Sequence, residues 1–258
     1  MSLRVPGWIE GGPSEAVVGV LERLHGTGLR TLLDIPSGGA PVRTAAEGLG
    51  FRVFEADLLP RRRMCGVLAD ACAPLPFRGG ALDCVLSMEG LEHFENQTGF
   101  LRECARILAP GGALVLTTPN VLHLSARLAN LLTAQRSLRQ GFVNERSTLR
   151  GGRGARLYHG HAYLIDAFRL RYLLRVVGLD VEQVHAANLS VASLLLAPLV
   201  APIWLATRFS LWAGRRRLAQ LGRRAPEPEV ESALRRLALS PALLFGKKVV
   251  VVARKPAS

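Results

Sequence analysis

The sequence predicts an α/β fold in which a largely parallel sheet is covered by helices on both faces. Three observations lead there. Short apolar runs recur along the first half of the chain and show no alternation of polar and apolar residues. Segments with helical apolar spacing separate them, and glycine- and proline-rich turns punctuate the joins. A strand with one wet face alternates; a strand buried on both faces does not, and parallel strands need helical crossovers between them. The 258 residues, 49% of them hydrophobic, fit one large domain with an ample core.

The elements follow in order. Residues 14–24, "SEAVVGVLERL", form an amphipathic helix, and 30–35, "RTLLDI", the first strand. "VRTAAEGLG" (42–50) is a helix stopped by glycine, "FRVFEA" (51–56) a second strand, "GVLADA" (66–71) a third and "ALDCVLS" (81–87) a fourth. In 98–112 apolar residues at 100, 101, 104, 105, 107 and 108 make a helical stripe closed by Pro-Gly-Gly. "ALVLTTPN" (113–120) is a fifth strand, 164–179 an amphipathic helix, and strands near 179–185 and over 246–256 complete the sheet. One domain is expected over 1–258, with two elaborations: a Gly/Arg-rich loop at 135–160, suited to contacting substrate, and an apolar-basic insertion at 186–245.

The formal charge of +13 is concentrated in those elaborations. Residues 1–134 hold 12 Lys/Arg against 13 Asp/Glu, 135–156 hold six Arg against one Glu, and 208–258 hold 12 Lys/Arg against three Glu. Such patches seek an anionic partner: a membrane surface, a nucleic acid or a phosphorylated substrate. The four cysteines (Cys65, Cys72, Cys84, Cys104) form no CxxC pair and read as reduced thiols. The opening "MSLRVPGWIEGGP" has no apolar core of a secretory signal, so a cytoplasmic location is expected.

In an open parallel sheet, ligands bind beyond the carboxyl ends of the strands. "LLDIPSGGAP" places Asp34 and a turn of small residues there, where backbone N–H groups approach a ligand closely. Asp57 ends the second strand, positioned to accept from two ribose hydroxyls, and Asp70 ends the third, positioned to accept from a purine amino group. Three acids in this order point to an adenosine-containing ligand.

These segments resemble a family. "LLDIPSGGAP", "FRVFEADLLP", "VLADACAPLPF", "LDCVLSMEGLEHF", "FLRECARILAPGGALVLTTPN" and "LLRVVGLDVEQV" look like the successive motifs of class I S-adenosylmethionine-dependent methyltransferases, in the style of the small-molecule and ubiquinone-pathway O-methyltransferases. The resemblance covers residues 28–185 and the last strand, and is most specific over 83–120. It implies a Rossmann-like sheet of seven strands in the order 3-2-1-4-5-7-6 with the last strand antiparallel, and S-adenosyl-L-methionine as cofactor. By the resemblance Asp34, Pro36 and Gly38 belong to the glycine-rich loop and Asp57 binds ribose. Asp70 and Ala71 lie beside adenine, and Ser87 to Glu89 beside the methionine moiety. Pro36 and Ala40 stand where the family has glycine; both are small, and the loss argues against a dinucleotide, whose pyrophosphate would want the full glycine set.

Glu89, Glu92 and His93 form E-x-x-E-H. A helix starting after the fourth strand would put all three on one face. With His161 (or His159) they make a candidate site for Mg²⁺, as in ubiquinone-pathway and small-RNA 3′-end 2′-O-methyltransferases, where a cation lowers a hydroxyl's pKa. His93, beside Glu92, is equally a candidate general base without metal, and a histidine that only lines the pocket is the third reading. "YHGHAY" (158–163) either caps the next helix or touches substrate. "TTPN" (117–120) lacks the second proline and the aromatic residue of nucleobase-amine methyltransferases.

Residues 186–207 carry no charge over 22 positions and lead into "RFSLWAGRRRLAQLGRR". The length would span a bilayer, but the chain must return to the same side to lay down its last strand, and Pro198 and Pro202 interrupt a span. The expectation is a re-entrant or surface-lying hairpin with Trp204 and Trp212 at headgroup depth and Arg215–Arg217 on anionic lipid. The alternatives are packing on the sheet and a contact between subunits. The reading as a whole is O-methylation of a small or lipid-linked acceptor by a protein peripheral to the inner face of the membrane. An RNA 2′-O-methyltransferase and a non-catalytic cofactor-binding domain that regulates a partner are the rivals. The sequence names neither the acceptor nor the oligomeric state.

Overall fold

The computed structural model describes residues 9–38, 42–59, 66–135, 148–150, 157–224 and 226–257. Its main sheet contains β1 (Ile9–Glu10), β2 (Thr31–Asp34), β3 (Arg52–Asp57), β4 (Gly66–Leu68), β5 (Leu82–Met88), β6 (Leu108–Pro119), β9 (Asp180–Leu189) and β10 (Gly246–Arg254), in the order β1-β9-β10-β6-β5-β2-β3-β4. A separate hairpin pairs β7 (Thr148–Arg150) with β8 (Leu157–His159). Without the two-residue β1, the seven strands of the sheet counted along the chain stand in the order 3-2-1-4-5-7-6. Strand β10 is antiparallel to both β6 and β9, whereas β2, β3, β4, β5 and β6 run parallel. The sheet is the one the family resemblance implies.

Successive side chains on a strand point to opposite faces, so each apolar strand feeds two cores. On one side Leu32, Leu86, Val115 and Val250 pack with Val17, Leu21 and Leu24 of α1 (Pro13–Gly26) and Ala46 of α2 (Arg43–Gly48). On the other, Leu33, Val85, Leu114 and Val251 meet Phe100, Leu101 and Cys104 of α3 (Gln97–Ile107) and Leu170 and Leu174 of α5 (Ala167–Val176). Asp166 caps α5 by accepting from Phe168 and Arg169 N–H, each at 2.9 Å. Among the described residues Cys72, Cys84 and Cys104 are free, and burial pushes the thiols of Cys84 and Cys104 up.

Element boundaries differ from the sequence reading at two places near the site. Helix α3 ends at Ile107, and Leu108 through Gly112 already lie in β6. A Cβ on Gly112 would stand 2.8 Å from Ala109 O and 2.9 Å from Asp83 O, so glycine lets β6 run tight against β5 here. Strand β4 ends at Leu68, which leaves Asp70 in the following turn, its Oδ1 accepting from Cys72 N–H at 2.8 Å.

The uncharged run is not one segment. Its first residues extend β9 to Leu189. Then α6 (Val191–Leu195), a 3₁₀ turn (Ala197–Leu199) and α7 (Val200–Gln220) follow, with α4 (Leu124–Thr133) beside α6. Helices α8 (Pro228–Ala238) and α9 (Pro241–Phe245) return the chain to β10. Among the described residues no helix is long and apolar enough to cross a membrane. Most of the expected basic loop, 136–147 and 151–156, lies outside the described residues.

Candidate functional site

Strand β2 ends in a turn held from three sides. Ile35 N–H donates to Leu86 O at 2.9 Å and Ser37 N–H to Ala56 O at 3.0 Å. Gly38, at φ +55°, donates its N–H to Asp57 Oδ2 at 3.0 Å, while Asp57 Oδ1 accepts from Leu59 N–H at 3.0 Å. The left-handed backbone at Gly38 is where a side chain would strain the turn. Pro36 packs onto Gly90, where an added Cβ would collide with Pro36 Cδ and stand 3.0 Å from Ser87 Oγ. The turn after β2 and the end of β5 are thereby locked together.

Three buried acids gather under the turn: Asp34, Glu55 and Asp57. Arg43 pairs with Glu55. Burial, and then the charges of Glu55 and Asp57, push Asp34 up to about 8. The sign follows directly. A carboxyl raised above its unfolded value stabilises the fold below pH of about 4, and that contribution is lost as pH rises through about 8. Asp34→Asn is therefore expected to raise the unfolding midpoint at pH 8.5 by several degrees and to leave it nearly unchanged at pH 4. Thermal denaturation across that range checks it; an equal change at both ends would contradict it.

A second cluster sits at the ends of β5 and β6. Glu89 has φ +50°, uncommon for a residue with a side chain. Its N–H donates to Thr117 O and Thr117 Oγ1, each at 3.1 Å, its Oε1 accepts from Thr117 Oγ1 at 3.1 Å, and its Oε2 pairs with Lys248 of β10. Glu92 is fully buried; its Oε2 accepts from Thr118 Oγ1 at 3.1 Å. Burial, and then the Glu89 charge, push Glu92 up to about 7, against the opposing pull of Thr118 and Lys248. Glu92 Oε1 and Ser87 Oγ, both buried, make no hydrogen bond within the described residues. Native proteins rarely leave such atoms unsatisfied, so both have hydrogen-bonding capacity left for a water or a ligand.

His93 and His161 stack edge to face, ring centroids 5.0 Å apart. The loop carrying His161 is pinned by Tyr163 N–H to Glu92 O at 3.0 Å and by Gln97 Nε2, which donates to Leu91 O at 2.8 Å and to Tyr163 O at 2.6 Å. One ligand atom each from Glu92, His93 and His161 lie within 4.8 Å of one another.

Two expectations need correction. Glu89, Glu92 and His93 do not share a helix face, because a 3₁₀ turn (Leu91–His93) follows the left-handed Glu89, and α3 starts only at Gln97. Glu89 is turned to Lys248 and Thr117 and is no part of the Glu92–His93–His161 cluster. What remains is one carboxylate and two imidazoles, a donor set that suits a transition metal and not the oxygen-seeking Mg²⁺. The side chain of His159 and the backbone at Ala40 lie outside the described residues. Glu92, His93 and His161 are brought together, and Ser87 lies by Gly90 and Pro36; Asp34, Pro36, Gly38 and Asp57 form the adjoining turn, with Asp70 and Ala71 beyond β4. Sequence reasoning missed Lys248, Thr117 and Thr118 as partners of the acids, and Arg43 and Glu55 beneath the turn. "TTPN" after an apolar strand was the one signal that held two of them.

Comparison with known proteins adds to this geometry. The family model described as a methyltransferase domain matches residues 30–184. The ubiquinone biosynthesis O-methyltransferase of Xanthomonas oryzae pv. oryzae is 34% identical over 116 residues, 39% of this chain and 47% of that one. The enzyme of the same description from a Caulobacter species is 34% identical over 117 residues, 40% and 46% of the two chains. The chain thus spans about half the length of these curated relatives. Among solved structures, a SAM-dependent methyltransferase from Archaeoglobus fulgidus superposes with a TM-score of 0.54 at 16% identity over 95% of each chain. Phosphoethanolamine N-methyltransferase 2 of Haemonchus contortus, in complex with S-adenosyl-L-methionine, gives 0.50 at 21% identity over 97% of this chain and 54% of that one. At those identities the likeness is one of fold.

Proposed function

The chain belongs to this methyltransferase family, and on that premise we propose that it transfers a methyl group from S-adenosylmethionine to a hydroxyl of a small or lipid-linked acceptor. The observation that carries the reading is the contact of two half-sites: the acid-lined turn at β2 and β3 packs through Pro36 on Gly90, beside Ser87 and at the start of the 3₁₀ turn that carries Glu92 and His93 of the Glu92–His93–His161 cluster.

The residues fit the cofactor. Asp57, already fixed by two backbone donors, presents a carboxylate where ribose hydroxyls would donate, and the crowded acids Asp34, Glu55 and Asp57 favour a cationic ligand over an anionic one. When bound, S-adenosylmethionine supplies an electrophilic methyl group on a sulfonium. The turn orients the donor, the end of β5 lines the space next to it, and His93 takes the proton from the acceptor's hydroxyl, with Glu92 beside it to favour the resulting imidazolium. Alignment supplies most of the acceleration, and the base about 10²–10⁴-fold.

The test is a methyl-transfer assay with labelled cofactor and phenolic acceptors with and without a prenyl chain. His93→Ala is expected to lower kcat by about 100-fold or more while S-adenosylhomocysteine affinity stays within threefold. Cofactor binding with no acceptor methylated would overturn the enzyme reading in favour of a binding domain.

The Glu92–His93–His161 cluster favours a second reading, in which a divalent transition metal activates the hydroxyl. Treatment with EDTA separates the two: full activity afterwards supports His93 as the base, whereas loss that Mn²⁺ restores in wild type, but not in His161→Ala, supports the metal.

A further inference from the structure

We propose that α6, the 3₁₀ turn and α7 form a docking surface for an anionic lipid bilayer. Helix α7 is 21 residues long and none of them is buried. Of its six less exposed positions, Val200, Ile203, Thr207, Leu211 and Leu218 recur at helical spacing, and Ala213 stands off that row. The opposite side is apolar as well. Leu205, Phe209 and Trp212 lie along one stripe at 61%, 65% and 49% exposure, Trp204 is 41% exposed, and Leu195 of α6 reaches 80%. A helix of an ordinary water-facing kind would carry mostly polar and charged residues there.

The charges on this side are interleaved with the aromatic residues, Arg208 and Arg216 each standing four positions after a tryptophan. Arg208 lies over the Trp204 ring at 4.9 Å and Arg216 over the Trp212 ring at 4.3 Å, so each exposed indole is paired with a guanidinium. Trp204, Arg208, Trp212 and Arg216 are spaced four apart and share one stripe. Apolar side chains that enter the acyl boundary, indoles at headgroup depth and arginines on lipid phosphate are what an interfacial helix requires. Arg217 near the end of α7 and Arg223 and Arg224 just after it add positive charge, while Arg215 is engaged with Glu231 of α8.

Charge also selects the occupant. A second copy laid symmetrically on this face would bring arginines onto arginines, and Glu227, Glu229 and Glu231 are the only acids from 208 to the end. RNA would match the arginines but would leave the apolar stripe in water. A bilayer matches both.

The face is fixed relative to the candidate site. Ser193 of α6, fully buried, bonds His123 Nδ1 at 3.1 Å, Ser125 Oγ at 3.2 Å and Ser190 Oγ at 2.9 Å. His123 and Ser125 begin α4, which directly follows the end of β6 and Thr118.

The surface stands apart from the methyl-transfer reading, and its test is arranged to keep them apart. The full chain is sedimented with vesicles of phosphatidylcholine mixed with phosphatidylglycerol and with vesicles of phosphatidylcholine alone. Retention on the mixed vesicles at least tenfold above the neutral ones is expected, falling at least tenfold in Phe209→Ser/Trp212→Ser and in Arg216→Glu/Arg217→Glu. These positions are exposed, so the variants are expected to keep the wild-type circular dichroism and the wild-type affinity for S-adenosylhomocysteine. Equal retention on both vesicles, or none on either, would overturn the proposal. So would a dimer in sedimentation velocity that Phe209→Ser/Trp212→Ser dissolves, or salt-sensitive RNA binding without vesicle binding. Loss of cofactor affinity in wild type with vesicle binding intact would strike the enzyme reading alone.

Discussion

Asp57→Ala is expected to weaken S-adenosylhomocysteine binding by at least about 100-fold. The carboxylate accepts from Gly38 and Leu59 N–H, and two ribose hydroxyls would add hydrogen bonds to a charged acceptor. Such bonds contribute about 1.5–3 kcal/mol each, and every 1.4 kcal/mol is about tenfold in affinity. The variant also leaves two backbone donors without their acceptor, so a drop in unfolding midpoint of a few degrees is expected alongside. Asp57→Asn helps separate the effects: it keeps the shape and an acceptor for one of the two backbone N–H groups, and is expected to restore part of the midpoint and little of the affinity. Equilibrium dialysis with labelled ligand reads the result. Affinity within threefold of wild type in Asp57→Ala would make the residue a turn staple and place the ribose elsewhere.

Gly90→Ala tests the contact between the half-sites. Gly90 has φ −106°, a conformation open to any residue, so its constraint is steric alone. The added methyl would collide with Pro36 Cδ, stand 2.9 Å from Pro36 Cγ and 3.0 Å from Ser87 Oγ, and all three belong to packed backbone-anchored groups. Overpacking of this kind costs about 1–3 kcal/mol. Relief requires the turn to move off the end of β5, and an affinity loss of about 5- to 150-fold for S-adenosylhomocysteine follows if that displacement is paid from binding. Gly48→Ala is the control: nothing lies within 4 Å of its Cβ, so stability is expected to hold or rise slightly. Equal behaviour of the two variants would show that Pro36 and Gly90 do not set the site.

The parts of this account that were legible in the sequence are local ones. Continuous apolar runs place the strands, a parallel sheet puts function at their carboxyl ends, and Asp34 and Asp57 stand there because each is the last residue of its strand. The turn glycine Gly38 is similarly a local feature. Lys248 is different. It lies 159 positions from Glu89, and only the insertion of β10 antiparallel between β6 and β9, with Lys248 opposite Pro119, brings the two together. The helical spacing of E-x-x-E-H was a true pattern with a false premise, since the left-handed backbone at Glu89 and the 3₁₀ turn after it replace the helix, and Glu89 pairs with Lys248 instead of joining Glu92, His93 and His161. An uncharged run likewise does not say where a strand stops, and β9 took its first four residues. Asn120 of "TTPN" proved to be a staple: its Nδ2 donates to Leu243 O at 3.0 Å and Gly246 O at 2.7 Å, tying the end of β6 to α9 and the start of β10.

The most direct test of the central claim, that the turn from Asp34 to Gly38 is a cofactor cradle, is calorimetric titration of the folded wild-type chain with S-adenosylhomocysteine. Saturable one-to-one binding, tighter than that of adenosine or homocysteine alone, is the result expected. No heat and no ligand-induced rise in unfolding temperature, from protein shown to be folded, would contradict the claim and leave the acids under the turn without the ligand assigned to them.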